Sequence, residues 1–373
     1  MRRRNRYGYH KYYGGGGPSP VVKVIVIVLA VGVLSLILTI WGLQRYMVYS
    51  NDGGKLVLPW TQQTSSGGGA FSQPQAGVVT SEPDVSNVVT SEEPTPQEPT
   101  ADGSEGRAVQ ISQDDLLNGG VSALLEDKNA DSVILEMKAP NGKLSYASQM
   151  DLAGQLGASA SASTSEELTQ AIQDLKEQGT YLIAYVDCFQ DHSMSGKDNL
   201  TFSTIYGFHW MDDNDVGWGN PTKDDVQDYL TGVVGELAAM GFDEIMLYNA
   251  GYPTQGNLEY IQTGSEYDST QFAANITDFY IKAAKAAEDG GAKLSVVTDQ
   301  ETVQNGTNAL SGQTLESLAS LGRVWMTLDA NADTTALTKR LTEAGMNDHP
   351  LGVLTDTLET GKSYWQAVLD TNE

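Results

Sequence analysis

Hydrophobic and polar positions divide the chain into three stretches with different patterns. Residues 24–43 form an apolar run without a single charge. Residues 51–106 are polar, rich in Ser, Thr, Gly, Pro, Gln and Glu, and lack Lys and Arg after Lys55. From residue 107 onward, short apolar runs alternate with amphipathic segments, which is the pattern of strands followed by helices.

Seven apolar runs in this last stretch have the length and composition of strands. They are residues 108–111, 132–137, 181–187, 244–249, 293–299, 324–329 and 351–356. Helical patterns follow them at 114–129, 165–178, 223–240, 269–288, 314–321, 334–344 and 363–369. Strands that alternate with helices form parallel sheets, because each parallel pair of strands needs a long crossover connection.

Seven strand–helix units over about 265 residues predict an α/β fold, the (β/α)8 TIM barrel, with an eighth unit that is short or unrecognised in the pattern. The alternative is an open doubly wound sheet. The first predicted strand and helix are not joined by the Gly-rich phosphate loop of a nucleotide-binding fold, which favours the barrel.

The apolar run at 24–43 is long enough to cross a bilayer as one helix. It exceeds the apolar core of a cleavable signal peptide, and no small-residue cleavage site follows it before Arg45. Basic residues precede it, so the N-terminus is expected in the cytoplasm and the rest outside the cell. We predict a basic tail (1–20), a transmembrane signal-anchor helix (21–45), a disordered linker (46–106) and an extracellular barrel (107–373), at the cell membrane of a Gram-positive bacterium.

The charge distribution restricts the partners of the extracellular part. The chain has 22 Lys and Arg, 48 Asp and Glu, and a net charge of −26. The first 55 residues hold eight of the basic side chains and one acid, so the remainder is strongly acidic. Such a body repels phosphate backbones, and nucleic acid is excluded as a principal partner. The single cysteine, Cys188, excludes an intramolecular disulfide.

Acidic side chains stand at or just after the ends of several predicted strands, where barrel enzymes place their active sites. They are Glu136, Asp187, Asp299, Asp329 and Asp356. Glycoside hydrolysis needs two such carboxyl groups, one protonated and one ionised. A divalent cation could also bind carboxylates. Alternatively, each acid caps the helix after its strand.

The long connection after the third predicted strand is rich in aromatic residues. It carries Phe189, Phe202, Tyr206, Phe208, Trp210 and Trp218. Aromatic rings beside acids suit stacking on sugar faces, and a lid with its own small core is the alternative. The histidines form no metal-ligand spacing and no G-x-S-x-G motif occurs, so we predict no metal and no cofactor.

Three segments resemble a known family. They are ADSVILEMKAPNGKLSYAS, LKEQGTYLIAYVDCFQD and WGNPTKDDVQDYLTGVVGELAAMGFDEIMLYNAGYP, with the sharpest matches at Phe189–Asp191, Trp218–Pro221 and Gly241–Ile245. Over roughly residues 107–370 the chain resembles the bacterial putative glycoside hydrolase domain family, a TIM-barrel relative of the α-amylase-like enzymes. The resemblance implies a barrel that acts on polysaccharides. An acidic residue and a Lys typically end the family's second strand, and Glu136 and Lys138 match them.

The sequence departs from the family pattern at other positions. Tyr248 and Asn249 stand where an Asp-Tyr pair is expected after G-F-D-E-I, and Gly251 stands where an Arg is expected. A strand-three Arg is replaced by Tyr185. The missing strand-four Asp is the natural nucleophile of amylase-like barrels, so the loss leaves open whether catalysis survives. Glu244 lies near its strand's beginning and is expected at the barrel floor.

Two functions of different classes remain. One is a glycoside-hydrolase-like domain that acts on or binds a cell-envelope or environmental polysaccharide; the other is a catalytically inactive carbohydrate-binding or envelope-scaffolding module. The predicted catalytic residues are Glu136, Asp187 and Asp299. The predicted substrate contacts are Lys138, Tyr185, Trp218, Tyr248, Asn249 and Tyr252. The expected partners are a polysaccharide or cell-wall glycan and, through the N-terminal helix, the lipid bilayer.

Overall fold

The computed structural model describes residues 47–50, 53–56, 105–346 and 349–369. Met47–Ser50 and Gly53–Leu56 pair as an antiparallel two-stranded hairpin. The predicted tail, the apolar run at 24–43 and most of the predicted linker lie outside the described residues. Among the described helices, none has the length and apolar character needed to cross a bilayer.

Eight parallel strands close into a barrel between residues 107 and 368. They are β1 (Arg107–Ile111), β2 (Ser132–Lys138), β3 (Tyr181–Asp187), β4 (Glu244–Tyr248), β5 (Lys293–Val297), β6 (Arg323–Thr327), β7 (Leu351–Leu354) and β8 (Trp365–Val368). Neighbours in the sheet follow chain order, and β8 closes the barrel between β7 and β1. The predicted TIM-barrel fold is confirmed.

Helices occupy the connections between the strands. They are α1 (Gln113–Leu117), α2 (Val121–Lys128), α3 (Asp151–Leu156), α4 (Ala162–Glu177), α5 (Asp224–Met240), α6 (Phe272–Asp289), α7 (Gln300–Asn305), α8 (Leu315–Leu318) and α9 (Thr334–Glu343), with 3-10 turns at His192–Met194 and Leu258–Tyr260. The single helix predicted over 114–129 is instead α1 and α2, because Gly119 adopts a left-handed φ of 73° that interrupts the helix.

The helix predicted at 363–369 is wrong, since this segment contains β8, the missing eighth strand. Four residues are too few for a helical and an extended pattern to be distinguished. The tertiary structure decides, because Gln366 lies in register with Arg107 of β1 and with Val353 of β7. Both edges of β8 are thereby paired, which satisfies its backbone hydrogen-bonding groups.

The barrel interior is filled by side chains and is not a pore. Its core consists of Ala108, Ile134, Ile183, Met246, Trp325, Trp365 and Ala367. At the N-terminal end, Glu244 pairs with Arg323 and accepts a hydrogen bond from Trp325 Nε1 at 2.8 Å. The Arg323 guanidinium lies 3.8 Å from the Trp365 ring centroid. Glu244 therefore belongs to the barrel floor, as predicted, which leaves the C-terminal mouth for a ligand.

Candidate active site at the barrel mouth

Two cavities open where the strands end. The first, of about 580 Å³, is lined from β1, β2, β3 and β4, and its predicted site residues are Glu136, Tyr185, Asp187 and Tyr248. The second, of about 630 Å³, is lined from the loops after β3 to β7, and its predicted site residues are Trp218, Tyr248, Asn249, Tyr252 and Asp299. The two cavities share Tyr248. The mouth thus brings together eight of the nine predicted residues, in two neighbouring groups.

Strand register explains the grouping in the first cavity. Glu136 on β2 lies beside Tyr185 on β3, and Asp187 lies beside Tyr248 on β4. Alternate residues of a strand point to the same side, so Tyr185 and Asp187 both face the mouth. The rings of Tyr185 and Tyr248 approach with centroids 5.6 Å apart. Two tyrosines therefore form an aromatic wall next to two carboxyl groups.

The two carboxyl groups have opposite environments. Asp187 is 2% exposed, whereas Glu136 is exposed to solvent. Burial raises the pKa of Asp187 to about 7, although the Lys138 charge and a hydrogen bond from Asn249 act in the opposite direction. A large fraction of Asp187 is therefore protonated at neutral pH. This is the pairing of acid and carboxylate that general acid catalysis requires.

A chain of hydrogen bonds holds Asp187 from the side of the second cavity. Asn249 Nδ2 lies 3.1 and 3.3 Å from the two carboxyl oxygens of Asp187 and donates to Gln190 Oε1 at 2.8 Å. Asp212 Oδ2 accepts from Gln190 Nε2 at 2.5 Å and from Trp218 Nε1 at 2.9 Å. Asn249 adopts a left-handed φ of 47°, which asparagine tolerates better than most residues. In this backbone conformation the side-chain amide of Asn249 points towards Asp187.

Lys138, predicted as a substrate contact, lies behind the site and lines neither cavity. The strand register shifts between Glu136 and Lys138, so their side chains do not point to the same side of β2. The Lys138 Nζ is fully buried, lies 2.9 Å from Asp191 Oδ2 and donates to the backbone oxygens of Asp187 and Cys188 at 2.7 and 3.3 Å. Its role in the structure is to fix the end of β3.

Two further predicted residues are engaged in local structure. Asp299 caps α7 by accepting from the Thr302 backbone N–H at 2.5 Å, and its other oxygen accepts from Asn308 Nδ2 at 2.5 Å. The helix-capping alternative therefore describes Asp299. Tyr252 is 1% exposed, and its ring stacks on Phe272 with centroids 3.6 Å apart. Both residues line the second cavity while supporting its walls.

The aromatic rings of the long loop after β3 fall into two groups. Four are buried, at 0% to 7% exposure: Phe189, Phe202, Trp210 and Trp218. Phe202 packs against Trp210 and Tyr252, and all four rings belong to the hydrophobic core that the loop shares with the strands and helices of the barrel, not to a small core of its own. Tyr206 and Phe208 are 66% and 71% exposed. The prediction that aromatic rings of this loop stack on sugar faces therefore concerns Tyr206 and Phe208.

Gln190 and Asp212 are site residues that the sequence analysis did not identify. Gln190 lines the first cavity and connects Asn249 to Asp212. The sequence feature that could have indicated Gln190 is its position inside Phe189–Asp191, one of the sharpest segments of the family resemblance. A glutamine side chain is neither charged nor nucleophilic, so nothing in the sequence was a reason to select Gln190. Its role is visible only from its hydrogen bonds to Asn249 and Asp212.

Comparison with known proteins places this barrel in a family. Residues 108–323 match the family model described as "Putative glycosyl hydrolase domain". The match spans more than half of the 373 residues, and the chain belongs to this family. No curated protein sequence matches the chain.

Several solved structures are similar to this chain at low sequence identity. A hypothetical protein from Ruminiclostridium thermocellum is 21% identical, covering 50% of this chain and 96% of its own, with a TM-score of 0.41. The PgaB (BpsB) glycoside hydrolase domain from Bordetella bronchiseptica is 12% identical, covering 67% and 84%, with a TM-score of 0.45. An exo-β-N-acetylglucosaminidase from Vibrio harveyi is 12% identical, covering 66% and 40%, with a TM-score of 0.42.

Proposed function

We propose that the barrel hydrolyses glycosidic bonds of a polysaccharide, with Asp187 as the general acid and Glu136 as the nucleophile or base. The observation that carries this proposal is a buried carboxyl with a pKa of about 7 in the same cavity as an exposed carboxyl. Protonated Asp187 gives its proton to the glycosidic oxygen as the bond to the anomeric carbon breaks. Glu136 attacks that carbon directly, or takes a proton from the water that does so.

The surrounding residues have supporting roles in this proposal. Tyr185 and Tyr248 contact the sugar ring, and Asn249 orients the Asp187 carboxyl through its hydrogen bonds. Lys138 holds the backbone of Asp187 in place. Asp299 supports the second cavity through the α7 cap. The substrate then occupies the mouth without displacing any buried ion pair.

The test is reducing-end release from a panel of bacterial wall and plant polysaccharides. Glu136→Gln and Asp187→Asn should each lower turnover by about 10²-fold or more, the range of acid–base contributions. Asp333→Asn is the control for loss of a carboxylate away from the site, because Asp333 caps α9 and lines neither cavity. Unchanged turnover in Glu136→Gln would refute the assignment of the carboxyl pair.

A catalytically inactive carbohydrate-binding or scaffolding module is the second candidate. It is favoured by the loss of the strand-four Asp, and by Gly251, where a Cβ would lie 2.7 Å from the Ser311 backbone oxygen. The Arg expected at this position would require the loop to move. Binding of a polysaccharide by the unmodified chain with no release of reducing ends supports this candidate over hydrolysis.

We also propose that residues 21–45 anchor the chain in the cell membrane, with the barrel outside and the cell envelope as the source of its glycan. The uncharged run at 24–43 and the basic residues before it support this arrangement. Protease added to intact cells should remove a C-terminal tag on the barrel. Protection of the tag until the cells are permeabilised would contradict the proposed orientation.

A further inference from the structure

Four of the exposed large apolar side chains of the described residues, including the two most exposed, lie in two loops that are joined to each other. Phe208, Tyr206 and Ile205 expose 71%, 66% and 53% of their surface within four consecutive residues, and Tyr260 exposes 41%. The rings of Tyr206 and Tyr260 lie 5.8 Å apart. We call these four residues the aromatic platform. Water-exposed apolar groups at such density are a mark of a binding surface.

The platform is held in a fixed shape. Thr204 and Phe208 are joined by backbone and side-chain hydrogen bonds around Gly207, whose φ is 81°. Ile205 N–H donates to the Tyr260 backbone oxygen at 2.8 Å, which joins the two loops. The exposed rings are therefore presented on a hydrogen-bonded turn. Rings held in place lose little conformational entropy when a ligand binds.

The platform also lies at the mouth end of the barrel. It belongs to the loops that follow β3 and β4, on the same end of the barrel as both cavities. The strand-like backbone beyond it leads through Trp210 to Asp212, which accepts the hydrogen bond from Trp218 at the second cavity. The platform and the mouth therefore lie at the same end of the barrel, towards which a long chain bound in the mouth extends.

The charge of these loops limits what can bind. Segments 198–222 and 251–270 contain no Lys or Arg and seven acids: Asp198, Asp212, Asp213, Asp215, Glu259, Glu266 and Asp268. They repel anionic chains, whereas carboxylate oxygens accept hydrogen bonds from sugar hydroxyls. Aromatic faces with acceptors around them match an uncharged sugar chain better than a nucleic acid or an anionic lipid surface.

We propose that the aromatic platform is a second binding site, which holds an uncharged glycan chain while the same chain occupies the mouth. This inference rests on the proposed action of the mouth on polysaccharide. Tyr206 and Phe208 stack on sugar faces at a distance from the reacting bond. The platform therefore governs affinity for long chains, and the mouth governs cleavage of short ones.

The experiment uses the full-length chain in lipid nanodiscs. Binding is measured to three neutral polymers, hydroxyethyl cellulose, xyloglucan and glycol chitin, and to anionic polygalacturonate. Turnover of the corresponding oligosaccharides of two or three sugars is measured in parallel. Tyr206→Ala/Phe208→Ala should weaken binding of a neutral polymer about tenfold and change oligosaccharide turnover less than about twofold. Ile281→Ala is the matched control, since Ile281 is a 55% exposed apolar residue on α6.

The outcomes separate the platform from the proposed function. Neutral-polymer binding that is lost in the double variant and kept in Phe208→Trp and Ile281→Ala supports the platform, even if the chain cleaves nothing. Unchanged polymer binding in the double variant overturns the platform while hydrolysis by the mouth stands. A preference for polygalacturonate, no binding of any neutral polymer, or a change in oligomeric state caused by the double variant also overturns it.

Discussion

Replacing Asp187 by Asn should stabilise the barrel, and the gain should grow with pH. The pKa of this carboxyl is about 7 in the folded chain against 3.8 for an ordinary Asp, mainly because burial disfavours its charged form. A raised carboxyl pKa means that the folded state binds more protons than the unfolded state between these two values. Stability is consequently lost as pH rises from about 4 to about 7.

The size of the effect follows from the two pKa values. Linkage gives a penalty on the wild-type fold of less than about 1 kcal/mol at pH 4, about 2 kcal/mol at pH 5 and about 4 kcal/mol at pH 8. Asp187→Asn keeps an oxygen that can accept from Asn249 Nδ2 and removes the ionisation. The difference in unfolding free energy between variant and wild type should therefore increase by about 4 kcal/mol from pH 4 to pH 8.

Urea titrations at pH 4, 5 and 8, followed by the fluorescence of the buried Trp325 and Trp365, measure this difference. Asp212→Asn is the control of opposite sign: burial acts to raise the pKa of Asp212, but hydrogen bonds from Trp218, Gln190 and two backbone N–H groups lower it overall. That variant should lose nearly the same stability at pH 5 and pH 8, and less only at a pH below about 4, where Asp212 takes up a proton. A gain in Asp187→Asn that is equal at all three pH values would refute the buried, protonated acid.

Three further predictions concern catalysis and the support of the site. Turnover should fall above pH 7, because Asp187 then loses the proton it must donate, and a flat pH–rate profile to pH 9 would contradict this role. Asn249→Ala removes a hydrogen bond that lowers the pKa of Asp187, so the alkaline limb of the pH–rate profile should move to higher pH. Lys138→Met leaves Asp191 buried without its partner and should cost about 3–5 kcal/mol in urea unfolding, with recovery in the Lys138→Met/Asp191→Asn double variant.

The barrel could be predicted because seven of its strands are apolar runs bounded by polar residues, and because strand–helix alternation permits few folds. The exceptions are decided by contacts that a local pattern does not contain. Trp365–Val368 is extended because β1 and β7 offer it two edges. The break between α1 and α2 depends on Gly119, whose left-handed φ is one of several that a glycine can adopt.

The site was predictable where position along a strand determines it. Glu136 and Asp187 follow from strand ends, Tyr185 and Tyr248 follow from the family resemblance, and all four line the first cavity. Lys138 was assigned from the family resemblance, but the irregularity in β2 points its side chain away from the cavity that Glu136 lines. Such an irregularity leaves no mark in the sequence, because its cause is the fit of β2 against β3.

At strand four, Tyr248 stands at the first position of the expected Asp-Tyr pair and Asn249 at the second, and the contacts of Asn249 show what an amide does there. An Asp at this position would place a second carboxyl within hydrogen-bonding distance of Asp187, where Asn249 Nδ2 now lies 3.1 and 3.3 Å from its oxygens. Two carboxyl groups so close cannot both ionise, and one pKa would rise strongly. The amide has nearly the same shape but donates hydrogen bonds, which lower the pKa of Asp187 against the effect of burial. Asn249 thus keeps the buried Asp187 able to give up its proton near neutral pH, while Tyr248 stands at the position of the expected nucleophile, which is why we assign the acid role to Asp187 on β3.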